Sequence, residues 1–260
     1  MKPIKAAFFD IDNTLYNWKK KEYNDSSVQA IKRLKKQGVK VFLASARPYM
    51  SQKEFGAFDL GIHWDGYIAS SGAIAVIGNH YVKQTLMAEK DVRKLCSIAK
   101  KLGLTMEVVT PRTRFLIAPG NTYLESYHGT YSDIVPPVHP YKGGPCTGVL
   151  LFAPDAHDAE FQAALPHLTY YRFHPFGVDI MPEEHLKGEG IASILRELGI
   201  EDDEAISFGD DVQDISMRDH SFFVAMGNGK DEVKEAADYV AAPIGEDGLA
   251  KALLDLGVLL

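Results

Sequence analysis

The sequence holds only two cysteines, Cys96 and Cys146, and they are far apart. Two distant cysteines make neither a disulfide framework nor a metal-ligand spacing, so both read as buried reduced thiols. A cationic excess is also missing: 28 Lys and Arg face 35 Asp and Glu, a formal net charge of -7. That balance lacks the basic footprint of a nucleic-acid binder. The short cationic clusters at Lys19–Lys21 and Lys32–Lys36 read as solvated faces. Long apolar runs are absent too. No stretch approaches the ~20 apolar residues that a membrane helix needs. The run Ala6-Ala7-Phe8-Phe9 stops at Asp10, too short for a signal peptide. These absences lead us to expect a cytoplasmic protein without nucleic-acid or membrane partners. Internal repeats and low-complexity tracts are lacking as well.

What the chain does have is enough apolar sequence for a sizeable core. Its 260 residues allow one large domain or two ordinary ones. Ile4–Phe9 is a short apolar run ending at acids, the pattern of a buried parallel strand. Val28, Ile31 and Leu34 recur at helical spacing between Ser26-Ser27 and Gly38, which predicts a capped amphipathic helix. Val39–Ala44 is a second apolar run. Strand, helix and strand with short joins predict an α/β, doubly wound parallel sheet.

The character changes near residue 73. Ala73–Ile77 and Tyr81–Lys83 flank Gly78-Asn79, a hairpin signal. A helix is predicted at Glu89–Lys101, and another around Ala156–Leu165. Strands are predicted at Leu104–Val109, Arg114–Ile117, Gly148–Phe152, Thr169–Phe173 and Val178–Met181. This mixture suggests an antiparallel α+β unit at 83–182, inserted between core segments 1–82 and 183–260. From Gly188 the first rhythm returns, with a helix at about Gly190–Leu198 and strands at Ala205–Phe208, Phe222–Ala225 and Tyr239–Ala241.

Two acidic groups and one hydroxyl lie where such sheets bind ligands, outside the carboxyl ends of strands. Asp10 and Asp12 follow the first strand, Ser45 ends the second, and Asp210, Asp211 and Asp214 follow a later one. Clustered carboxylates raise one another's pKa unless a cation neutralises them. The simplest occupant is Mg²⁺, a hard ion that takes oxygen ligands. His139, His174 and His185 show no ligand pattern and read as surface or cap residues.

Phe8-Phe9-Asp10-Ile11-Asp12-Asn13-Thr14-Leu15 resembles the first motif of the haloacid dehalogenase superfamily. Three further matches follow in that family's order. They are Phe42–Pro48 with Ser45, Asp179-Ile180-Met181-Pro182 followed by Lys187-Gly188, and Phe208–Met217 with its acids. The stretch Val224–Asn228 and the place of the insertion resemble the Cof-type branch, subfamily IIB. The resemblance implies a phosphatase with an inserted cap that closes over a small phosphoester. Asp10 would attack phosphorus, and Asp12 would serve as acid and base. Ile11, Ser45, Ala46 through its amide, Lys187 and Gln213 would hold phosphate. Mg²⁺ would rest on Asp10, the Asp12 carbonyl, Asp210, Asp214 directly or through water, and Asp211.

Four positions depart from the family's usual form. Asn13 stands for Gly, Ala46 for Gly, Gln213 for Asn, and Ser71-Gly72 for Asn-Gly. Asn tolerates the left-handed backbone that Gly supplies. The leading expectation is Mg²⁺-dependent hydrolysis of a sugar phosphate or nucleotide by a monomer or small homo-oligomer. A phosphomutase sharing the aspartyl phosphate, or a non-catalytic phosphometabolite-binding module, are the alternatives.

Overall fold

Strand β1 (Ala6–Phe9) carries four apolar side chains and is buried on both faces. Its two phenylalanines point to opposite sides, as the two-residue strand period requires. Phe8 stacks on Phe42 at 5.0 Å, and Phe9 stacks on Phe208 at 5.4 Å. Each such ring, fully buried, contributes about 1.5–3 kcal/mol. A strand covered on both faces needs helices on both sides of its sheet, the doubly wound arrangement.

The computed structural model describes residues 2–131, 134–183 and 186–259. It divides into two units, Met1–Arg47 with Gly56–Lys83 and His185–Leu260, and Pro48–Phe55 with Gln84–Glu184. In the first, β1 leads into a small antiparallel hairpin, β2 (Tyr16–Asn17) and β3 (Glu22–Tyr23). Helix α1 (Asp25–Lys36) follows, then β4 (Lys40–Ala44). Helix α2 (Tyr49–Glu54) belongs to the second unit. Strands β5 (Gly66–Ala69), β6 (Ile74–Ile77) and β7 (His80–Gln84) come next.

The second unit builds helix α3 (Glu89–Lys101), β8 (Thr105–Val109) and β9 (Arg114–Leu116). Helix α4 (Thr122–Tyr131), β10 (Gly148–Phe152), α5 (Asp158–Ala164), β11 (Thr169–His174) and β12 (Gly177–Met181) complete it. Its five strands run in the order β11–β12–β10–β8–β9, and all the neighbouring pairs are antiparallel. One face packs on α3 and α5 through Val92, Leu95, Phe161, Met106, Val149 and Ile180.

The chain then returns to the first unit with α6 (Lys187–Leu198), β13 (Ala205–Gly209) and β14 (Phe222–Ala225). Helix α7 (Asp231–Ala236), β15 (Tyr239–Val240) and α8 (Gly248–Asp255) close it. The large sheet has the order β15–β14–β13–β1–β4–β5–β6–β7. Pairs from β15 to β5 are parallel, while β5–β6 is antiparallel. Helix α6 buries Ile191, Ile194 and Leu195 against Phe8, Phe42 and Ile68. The fold is therefore the α/β, doubly wound class expected from sequence.

Several boundaries moved. Helix α1 starts at Asp25, because Asn24 rather than Ser26-Ser27 is its cap and accepts the Ser27 amide at 2.9 Å. Helix α6 begins at Lys187, three residues before the expected start, because Gly188 and Gly190 disguise its first turn as loop. Strand β5, the β2–β3 hairpin and α4 were not foreseen. His185 lies outside the described residues.

Candidate active site

Strands β13, β1 and β4 are adjacent, with Phe9 opposite both Phe208 and Leu43. Their carboxyl ends therefore bring Asp10, Ser45 and Asp210 to one edge of the sheet. The Asp10 amide continues the ladder, donating to the Phe208 carbonyl at 3.0 Å. Asp10 and Ser45 are buried at 5% and 1% exposure. Lys187, the first residue of α6, reaches the same place.

Its ammonium donates to Asp10 Oδ1 at 2.7 Å and to Asp214 Oδ1 at 2.5 Å. That reach depends on Gly188, since a Cβ there would stand 2.1 Å from the Ser216 carbonyl oxygen. Without a side chain, α6 lies directly against the 3₁₀ segment Val212–His220, and the Gly188 amide donates to Ser216 Oγ. Asp214 Oδ2 also accepts the amides of Asp210 and Asp211, at 2.9 and 3.0 Å. Asp214 is thus a hub whose two oxygens take three donors.

Carboxylate oxygens of Asp10, Asp210 and Asp214 all lie within 4.8 Å of one another, and all three residues are buried. Asp210 Oδ1 meets the Thr14 hydroxyl at 3.4 Å. Burial is the main cause that lifts Asp10 well above the ordinary carboxylate range; Lys187 opposes it, and Asp214, Asp210 and Asp12 add to it. Burial, with repulsion from Asp214, pushes Asp210 up to about 7. Burial alone would lower the Lys187 pKa, but Asp10 and Asp214 outweigh it and keep the ammonium charged. The pocket holds more negative charge than one lysine neutralises. Its free donors are hard oxygens, the kind Mg²⁺ takes, so these residues fit that ion.

Asp12 faces a different partner set. Arg47 grips it with Nε to Oδ2 at 2.8 Å and Nη2 to Oδ1 at 2.9 Å. The indole of Trp18 donates to Oδ1 at 2.9 Å. Burial pushes the Asp12 pKa up, but the Arg47 bonds and charge, the Trp18 bond and Lys187 together hold it below its ordinary value. Neither Arg47 nor Trp18 was foreseen as a site residue. Arg47 sits two residues past Ser45 in the loop after β4, which is a usable signal. Nothing in the sequence pattern marks Trp18.

The remaining expected residues spread out. Ile11 is fully buried, and Ala46 is exposed. Gln213 Oε1 accepts the Ser71 hydroxyl at 3.2 Å. Asp211 is half exposed and ion-paired with Lys230 at 2.8 Å, and its side chain caps the 3₁₀ segment. The structure does not bring it into the carboxylate group. Asn13 has φ 55°, the left-handed turn that replacing Gly by Asn can support.

The model of the haloacid dehalogenase-like hydrolase family matches residues 7–253, nearly the whole chain. The chain belongs to that family. It is 30% identical over 259 residues to "Putative phosphatase YkrA" of Bacillus subtilis (strain 168), covering 98% of each chain. Among solved structures, it superposes on the HAD subclass IIB sugar phosphatase BT4131 with TM-score 0.78 and 30% identity, covering 98% of this chain and 99% of that one. BT1666 from Bacteroides thetaiotaomicron, a phosphatase of the same superfamily, gives TM-score 0.82 at 25% identity over 98% and 96% of the two chains. This hydrolase is a phosphatase of the superfamily. No helix among its described residues is long and apolar enough to cross a membrane.

Proposed function

We propose that this hydrolase removes phosphate from a small phosphorylated metabolite, of the sugar-phosphate or nucleotide class, through a phosphorylated Asp10. The observation that carries the reading is the buried Lys187 bridging Asp10 and Asp214 beside Asp210. A carboxylate held by a fixed ammonium, next to free oxygen donors, is arranged for in-line attack on an anion. The likeness to a sugar phosphatase supports the substrate class.

In this mechanism an Asp10 oxygen bonds to phosphorus as the ester P–O bond breaks. Asp12, ionised in the free site, would take a proton from the arriving phosphoester and give it to the leaving oxygen, so that an alcohol departs. Water then attacks the aspartyl phosphate, Asp12 takes its proton, and Asp10 is restored as inorganic phosphate leaves. Lys187 and the amides of Ile11 and Ala46, with the Ser45 hydroxyl, would balance charge on the transferring oxygens. Gln213 borders the same loop set. Asp10, Asp210 and the Asp12 carbonyl would hold Mg²⁺, with Asp214 acting through water because its oxygens are engaged. The ion would supply the second positive charge that phosphoryl transfer needs. Asp211, exposed and paired with Lys230, would at most tune the ion's surroundings.

The test is phosphate release from a panel of phosphorylated sugars and nucleotides, with Mg²⁺ and with chelator. Turnover that requires Mg²⁺ and vanishes in Asp10→Asn is expected. No phosphate above that variant's level on any phosphoester would sink the reading.

A further inference from the structure

An arginine fork alone would leave the two oxygens of Asp12 nearly equivalent, each accepting one N–H. The indole breaks that equivalence. Oδ1 takes both Arg47 Nη2 and Trp18 Nε1, whereas Oδ2 takes Arg47 Nε. A carboxylate oxygen offers about two acceptor directions. Among the described residues, both on Oδ1 are therefore filled and Oδ2 keeps one.

Trp18 is itself firmly set. It lies in the turn of the β2–β3 hairpin, where Asn17 Oδ1 accepts the amides of Lys19 and Lys20 at 3.0 and 3.2 Å. The Lys21 amide donates to the Asn17 carbonyl at 2.7 Å, and Lys21 takes the left-handed φ of 57° that closes the turn. Asn17 is buried, so this turn is anchored rather than loose. Tyr16 meets the indole edge-on at 5.1 Å and meets Tyr23 edge-on at 5.1 Å. The three rings pack as one set from which the indole N–H reaches Oδ1 of Asp12 at 2.9 Å.

We propose that Trp18 is a positioning residue that reserves Oδ2 of Asp12 for proton transfer to and from the substrate. The β2–β3 hairpin is then a working part of the site. The inference rests on the reading of Asp12 as the acid and base, and the test separates the two.

The experiment measures kcat/KM with Mg²⁺ on aryl phosphates from 4-nitrophenyl phosphate to phenyl phosphate, for the parent enzyme, Trp18→Phe and Asp12→Asn. This parameter reports the first transfer only. A 4-nitrophenolate departs without a proton, and a phenolate depends on one. Trp18→Phe keeps the ring and removes the donor. Its activity should stay within about threefold on 4-nitrophenyl phosphate and fall about tenfold on phenyl phosphate, part of the 10²–10⁴ that an acid contributes. The dependence on leaving-group pKa should steepen toward that of Asp12→Asn. This slope is a ratio of rates, so a partly misfolded preparation does not alter it. If Asp12→Asn steepens the slope and Trp18→Phe does not, the role of Trp18 is overturned and the acid stands. If neither steepens it, the acid reading fails and the inference with it.

Discussion

Lys187 is the residue on which the site turns, since two buried carboxylates depend on one ammonium. Lys187→Met would leave both without a cation. Breaking a buried pair in this way costs about 3–5 kcal/mol, so denaturant unfolding should show a loss of that order, together with a fall in phosphate release of at least about 100-fold. The pH behaviour follows from Asp10 and Asp210, both raised above their ordinary value. For such acids the folded state binds more protons than the unfolded one, so stability falls as pH rises. In chelator the Tm should therefore decline between about pH 4 and about pH 7, the latter being the Asp210 value. Added Mg²⁺ should raise the Tm more at pH 8 than at pH 5, because the ion needs ionised ligands. An Asp210→Asn variant should lose most of that gain. The strand-end places of Asp10, Asp12, Ser45 and Asp210 were legible in sequence because each follows an apolar run that forms a strand of the large sheet, whereas Lys187 came only with the family resemblance, since the helix it opens was expected to start at Gly190. Trp18 was not legible, because pairing across a hairpin leaves no period to read, and Arg47 was marked only by its place two residues past Ser45.

Among the elements, α6 shows how a helix can place a side chain through what its neighbour lacks. In Gly188→Ala the added methyl would press on the Ser216 carbonyl. Helix or 3₁₀ segment must shift, at about 1–3 kcal/mol, and Lys187 moves with it. We expect a lower Tm, and a kcat loss larger than that of Gly199→Ala, which strains the left-handed C-cap of α6 (φ 64°) but meets no neighbour. Helix α1 offers a milder case: Asn24→Ala removes the cap acceptor and should cost about 1 kcal/mol by denaturant unfolding. Strands buried on both faces, such as β1, β4 and β13, and the well-patterned α3 were readable from apolar periodicity. Helix α4 was not. Its run Thr122–Tyr131 mixes aromatic, polar and glycine residues, and its clearest cue is Asn121, whose Oδ1 accepts the Leu124 amide at 3.0 Å. Strand β5 has four residues and begins with Gly66, too little pattern to separate it from loop.

At the scale of the whole molecule, each unit carries its own electrostatic load. In the second, Asp179 lies on β12 opposite Leu150 and Tyr171. Burial pushes its carboxyl up to about 7, although its surface is only partly covered. The sign again runs against ionisation: this acid weakens the fold as pH rises from about 4 to about 7. Asp179→Asn should therefore raise the Tm at pH 8 and leave it almost unchanged at pH 4. The second unit is also not one stretch of chain. Helix α2 belongs to it, and Glu54 of that helix binds Arg114 of β9 at 2.5 Å. Arg114 is 3% exposed and shares its charge with Glu107 and Glu54. Anyone transplanting the second unit between relatives would naturally cut at residues 84 and 184. Such a chimaera keeps the arginine and leaves Glu54, one of its acid partners, in the donor. The transferable cassette has two pieces, and residues 48–55 must travel with it.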